Sequence, residues 1–105
     1  MSEVEITLKG EKTALRCTLK AAKAVNAMAG GYQNALARLA AMDQEAYSTI
    51  VAAGLGKRPM DVEQAVYETG LPALAQPLST FVMMLANGGK PLDDDDAEQS
   101  SEGEA

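Results

Sequence analysis

Histidine and tryptophan are absent from this 105-residue chain, and there is one cysteine, Cys17, and one phenylalanine, Phe81. Without histidine, Ser-His-Asp and Cys-His catalysis and histidine-ligated metal sites are excluded. A single cysteine forms neither an intramolecular disulfide nor a thiolate zinc cluster; it fits a reducing compartment and reads as a small buried apolar residue. No apolar run approaches the roughly 20 residues that cross a bilayer. Met1 to Glu5 is acidic and no apolar stretch follows, unlike a secretory leader. Gly30-Gly31 and Gly88-Gly89 lack the preceding strand and the spacing of a phosphate-binding loop, and helix caps account for both pairs. These absences predict a protein that is not an enzyme and holds no cofactor or metal.

Basic side chains are missing after Lys90. Residues Asp93 to Ala105 hold seven of the fifteen carboxylates, which leaves eight Asp and Glu to face nine Lys and Arg before them, a net of +1. The chain therefore reads as one nearly neutral domain over 1–89, followed by a disordered acidic tail over 90–105 with too little apolar surface to offset its ordering entropy. Asp93–Asp96 lacks the spacing and glycine turn of a calcium loop.

What is present is period. From Glu3 to Lys9, Val4, Ile6 and Leu8 alternate with Glu5, Thr7 and Lys9; from Thr13 to Thr18, Leu15 and Cys17 alternate with Ala14, Arg16 and Thr18. With a turn at Gly10–Lys12 the two runs predict a hairpin, which needs helices to cover its apolar face. Thr18 is placed to cap a first helix ending near Ala29, with Leu19, Ala22, Val25, Met28 and Ala29 inward and Lys20, Lys23 and Ala27 outward. A second helix, about Tyr32 to Met42, points Tyr32, Ala35, Leu36 and Leu39 inward and Asn34 and Arg38 outward. Asp43 caps a third, with Tyr47, Ile50, Val51, Gly54 and Leu55 on one stripe, stopped by Gly56.

A loop over Gly56–Met60 then leads to a capping box, Asp61 with Gln64, stapled by Met60 and Ala65, for a short fourth helix over Val62–Thr69. Gly70 closes it. Leu71, Leu74, Leu78, Phe81, Val82 and Leu85 form the stripe of the last helical segment. Pro77 interrupts that stripe, and an interior proline costs roughly 3 kcal/mol. The favoured reading is therefore a short turn at Pro72–Gln76 and a helix from Pro77; one kinked helix is the alternative. The fold class is α+β, mainly α: an N-terminal β-hairpin packed on a small bundle of four or five helices.

Three side chains fall off these stripes. Met83 and Met84 lie about 155° and about 105° from the centre of the last stripe at 100° per residue, and Tyr67 falls beside Glu63, away from Val62, Ala65 and Val66. Tyr67, Met83 and Met84 are candidate partner-binding residues, since an exposed, polarizable methionine surface adapts to a partner. A last helix buried on two sides is the competing reading for the methionines. Lys57-Arg58 between two helices suggests a helix-turn-helix, but the net of +1, Glu63 and Glu68 on the next helix and the acidic tail oppose a phosphate backbone, so no nucleic-acid partner is expected.

The order of hairpin, helix, helix, capped helix, short helix and long apolar helix resembles the phage tail assembly chaperones of the gene transfer agent type. The matching stretches are EITLKGEKTALRCTLKAAKAV, VAAGLGKRPMDVEQAVYETGL and LPALAQPLSTFVMMLANGG, about residues 4 to 89. Ala53-Gly54-Leu55 corresponds to the end of that family's middle helix, Asp61 with Glu63 to its acidic capped helix, and Gly70-Leu71 to the entry of its last helix. The resemblance implies a non-enzymatic morphogenesis factor of the bacterial host cytoplasm, which shields the tape measure protein until tail tube subunits displace it. Self-association through the hairpin edge is a further expectation. A minor structural tail component and a small DNA-binding regulator are the alternatives.

Overall fold

The computed structural model describes residues 2–92. It has two strands, β1 (Glu3–Leu8) and β2 (Glu11–Arg16), then five helices, α1 (Leu19–Ala29), α2 (Tyr32–Ala40), α3 (Gln44–Leu55), α4 (Pro59–Thr69) and α5 (Leu71–Ala86). The predicted fold class is the one found: a two-stranded antiparallel hairpin followed by helices. The expected unfolded tail lies, from Asp93 onward, outside the described residues.

The hairpin pairs Val4 with Leu15 and Leu8 with Glu11, so its turn is the two residues Lys9 and Gly10 rather than Gly10–Lys12. Both have positive φ, 51° and 82°, the conformation of a type I′ turn, whose twist matches that of the strands. The left-handed Lys9 is held by α4. Its amide donates to Thr69 Oγ1 at 2.9 Å and its ammonium lies 3.4 Å from Glu68. Ile6 and Leu15 are buried on the face turned to the helices.

Thr18 and Asp43 cap as their chemistry predicts, accepting from the amides of Ala21 at 3.0 Å and Ala46 at 3.2 Å. Tyr47, Ile50 and Val51 are wholly buried in α3, which packs against α1, α4, α5 and β2 and forms the middle of the molecule. The Tyr47 hydroxyl donates to the Leu39 carbonyl at 2.7 Å, so its burial leaves no unmet donor. Gly54 is required for packing. A Cβ there would stand 2.7 Å from Leu15 Cβ, so the glycine lets β2 lie directly on the last turn of α3.

Several expectations are corrected. α2 ends at Ala40, two residues early, because Met42 turns left-handed (φ 59°) and the Asp43 amide reaches back to Arg38 O at 3.0 Å. Arg38 is half-buried rather than outward: its guanidinium donates to Asp43 at 2.8 Å and to the Met28 carbonyl at 3.4 Å. α4 begins at Pro59, because proline at the first helical position gives up only an amide that has no intrahelical partner. Asp61 consequently lies inside the first turn, where it pairs with Arg58 instead of opening a capping box, and Gln64 bonds Glu68.

α5 runs unbroken through Pro77, against the favoured turn. Leu74, before the proline, is buried on the same stripe as Leu78, Phe81, Val82 and Leu85. Burying a large apolar side chain contributes about 1.5–3 kcal/mol, so keeping Leu71 and Leu74 on that stripe offsets the roughly 3 kcal/mol of an interior proline. α5 packs against α1, α2, α3, α4 and β1. Its buried sector is accordingly wider than one stripe.

Candidate functional site

That width decides two of the three candidate partner-binding residues. Met84 is 6% exposed and belongs to the core, which removes it from the exposed pair and agrees with the reading of a last helix buried on two sides, while Met83 remains 46% exposed. Tyr67 is 68% exposed, as its place beside Glu63 predicts. Leu19, expected inward, is the most exposed large apolar residue among the described residues, at 76%. By the helical step it lies about 120° from Val25, the centre of the buried face, and Ala21 occupies the inner place instead. The side chain of Ala29 lies outside what the structure describes.

A hollow lies elsewhere. An open groove of about 820 Å³ runs between the outer face of α1 and the junction of α3 with α4. That is the volume of roughly two turns of a helix 10 Å across. Ala24, Ala52, Ala53, Gly54, Leu55 and Pro59 give it an apolar floor. Arg16, Lys20, Lys57 and Arg58 stand around this floor with Asp61 the one carboxylate among the lining residues.

Each wall is fixed by a local rule. The alternation of β2 that buries Leu15 and Cys17 turns Arg16 outward, and the capped first turn of α1 presents Lys20. Gly56, left-handed at φ 69°, ends α3, and the Lys57 amide closes back on Ala52 O at 2.9 Å; this turn holds Lys57 and Arg58 on the opposite rim. Arg58 is engaged by both Asp61 oxygens at 3.2 Å. Arg16 pairs loosely with Glu3 at 3.8 Å. Lys20 and Lys57 have no ion-pair partner among the described residues.

A second hollow of about 410 Å³, with Lys9, Lys12 and Glu11 in its wall, shares Leu55, Lys57 and Asp61 with the first and reaches toward the hairpin turn. On the other side of α1, Leu19, Ala22 and Tyr32 border two smaller hollows, one of which reaches Leu85, Gly88 and Gly89. None of these hollows has Tyr67, Met83 or Met84 in its wall.

Cys17, Tyr47, Asp43 and Glu68, which do not line the groove, have displaced pKa values. Burial pushes the Cys17 thiol up and keeps it protonated, and burial likewise raises Tyr47. Asp43 is lowered, first by the Arg38 hydrogen bond and then by the Ala46 amide; Glu68 is lowered by Gln64 and then by Lys9. Among the described residues no group of three or more His, Cys, Asp or Glu is placed to hold a metal ion, and no helix is long and apolar enough to cross a membrane. The block Asp93–Asp96, considered above for calcium, lies outside them. Comparison with protein-family models, with curated proteins and with solved structures found no match.

Proposed function

We propose that this chain is a non-enzymatic tail assembly chaperone, which covers a helical segment of a tape measure protein in the bacterial cytoplasm until tail tube subunits replace it. The observation that supports this reading is the groove, an apolar floor of small residues between two basic rims. Alanine and glycine let the backbone of an incoming helix approach closely. The cations favour a segment with carboxylates beside its apolar stripe, which is helix-in-groove recognition with an electrostatic choice of register. An alanine floor buries little apolar surface per residue, so the contact is replaceable, as a displaced chaperone requires.

Co-expression with the tape measure protein encoded in the same tail cluster tests the reading. The chain should co-purify with that protein and keep it in solution. Ala24→Glu, at an exposed helical position on the groove floor, should weaken capture about tenfold or more while shifting the thermal midpoint by no more than a few degrees. Met83→Asp should also leave the midpoint nearly unchanged, and Met83 and Tyr67, outside the groove, should contribute at most about twofold to capture. Capture that ignores Ala24→Glu removes the groove from the mechanism. Retention of the chain in finished tails replaces the chaperone with a structural component, and salt-dependent duplex binding replaces it with a regulator.

A further inference from the structure

The second hollow lies along a strand that lacks a neighbour on one side. We propose that the partner's chain, where it leaves the helix held in the groove, runs on in extended form and adds to the free edge of β2 as a third strand, with a carboxylate opposite Lys12. The inference rests on the partner reading above and names what that partner must contain beside its helix.

The hydrogen bonding of the hairpin leaves this edge open. In a hairpin closed by a two-residue turn the closing pair, here Leu8 with Glu11, exchanges both backbone bonds, and bonded and non-bonded pairs alternate from there. Ile6 with Thr13 and Val4 with Leu15 are therefore bonded pairs, and the Cys17 amide, donating to the Ser2 carbonyl at 3.0 Å, continues the alternation. Lys12, Ala14 and Arg16 fall between them and turn their amides and carbonyls away from β1. The Arg16 carbonyl accepts from the Thr18 amide at 3.1 Å, whereas the backbone groups of Lys12 and Ala14 have no hydrogen-bond partner among the described residues. Such a row is a template for another strand.

There is room beside it. The second hollow has Lys12 and Thr13 of β2 in its wall and the first has Arg16, with Ala14 between them in the chain. Both hollows also have Leu55, Lys57 and Asp61 in their walls. A trough thus follows β2 from the hairpin turn to the start of α1, between the strand and the junction of α3 with α4. Lys12 to Arg16 is about 14 Å of strand. The outer edge of β1 turns out the same kind of groups at Glu5 and Thr7, but none of the hollows described above has Glu3, Glu5 or Thr7 in its wall.

Alternation then fixes the chemistry of the added strand. Its residues opposite Lys12 and Arg16 lie on the exposed face, four apart, and a carboxylate at each meets a cation. Lys12 has no ion-pair partner among the described residues, and Arg16 has only the 3.8 Å contact with Glu3. The residues between them, opposite Thr13 and Leu15, turn to the other face, where Leu55 and Val62 of the hollow offer apolar contact. Glu11 stands in the same wall, so a further carboxylate at the turn end is disfavoured. On the edge of β1 the same segment would meet Glu3 and Glu5. Main-chain bonds hold a strand of this kind, and alternate side chains select it.

Amide hydrogen exchange of the full chain, alone and bound to the tape measure protein of the same tail cluster, reads the added strand residue by residue. Exchange at Lys12 and Ala14 should slow about tenfold or more on binding, while Glu5 and Thr7 on the other edge change less than about twofold. Ala14→Pro removes an amide that β1 does not use and should lower capture about tenfold; Glu5→Pro, its counterpart on the other edge, should leave capture unchanged. A synthetic peptide, acetyl-Gly-Glu-Val-Thr-Val-Glu-Gly-amide, probes the edge without the tape measure protein. At millimolar concentration it should shift the amide resonances of Lys12 and Ala14 and leave those of Glu5 and Thr7 in place. Capture with the Lys12 and Ala14 amides exchanging as before, equal slowing on both edges, or equal loss from the two prolines would overturn the strand and leave the chaperone reading standing. Absence of capture by the unaltered chain would sink the chaperone reading alone; the peptide then decides the edge, a selective shift supporting it and none overturning it.

Discussion

α4 and α5 are neighbours joined at Gly70, each with a proline in its first turn, yet they are held by different forces. α4 buries Val62 and Val66 and carries its charged residues outside, with Arg58 on Asp61, Gln64 on Glu68 and Glu68 on Lys9. α5 buries Leu74, Leu78, Phe81, Val82, Met84 and Leu85 and has no charged residue in its sixteen. An apolar helix in contact with five other elements tolerates an interior proline, because its stability comes from burial rather than from its own hydrogen bonds. The polar helix has no such reserve, and its start is set by Pro59 and local pairs.

The comparison is broken most directly at Phe81. Phe81→Ala in the fully buried middle of α5 should cost about 3–5 kcal/mol in chemical denaturation, a large share of what a body this small possesses. An equally large loss from Met60→Ala in α4, whose side chain is 65% exposed, would show that the two helices do not differ as described. Pro77→Ala sharpens the contrast. It restores an amide donor to α5, and the helix should gain about 2–2.5 kcal/mol, the interior cost of proline less the lost restriction of the unfolded chain. A loss there would mean that Pro77 sets a bend the core depends on.

The smallest effect belongs to the surface pairs of α4. Glu68 has a folded pKa below its unfolded one, so its contribution is present above the unfolded value and is lost as pH falls through the folded value. Measured against Glu68→Gln, the wild-type advantage should therefore be greatest near neutrality, disappear in acid below the ordinary carboxylate range, and shrink in high salt.

Most of the architecture was legible because its boundaries are chemical. Thr18 and Asp43 have the side chains that cap helices, and Gly30, Gly56 and Gly70 take backbone angles that stop them. The misplacements of Leu19 and Met84 share one cause: a stripe gives the direction of the core but not its width. Leu19 fell outside a sector assumed too broad, and Met84 fell inside one assumed too narrow, since neither the sequence of α1 nor that of α5 states how many neighbours will pack on it. The groove left still less trace. Its floor combines Ala24 with Ala52 and Ala53, small residues that carry no periodic signal, and its cations at 16, 20, 57 and 58 converge only when α1 packs on α3. The basic pair Lys57-Arg58 was the one visible sign, and by itself it suggested a DNA-binding turn.

Cys17 has a mechanical consequence. Its amide donates to the Ser2 carbonyl at 3.0 Å, and its own carbonyl is where Gly89 lands. The first and last parts of the described chain thus meet at a single residue. Tension applied between these two points would be carried by that short bridge while the helices hung slack behind it, so a pull on both ends should first peel the bridge open and load the bundle only afterwards.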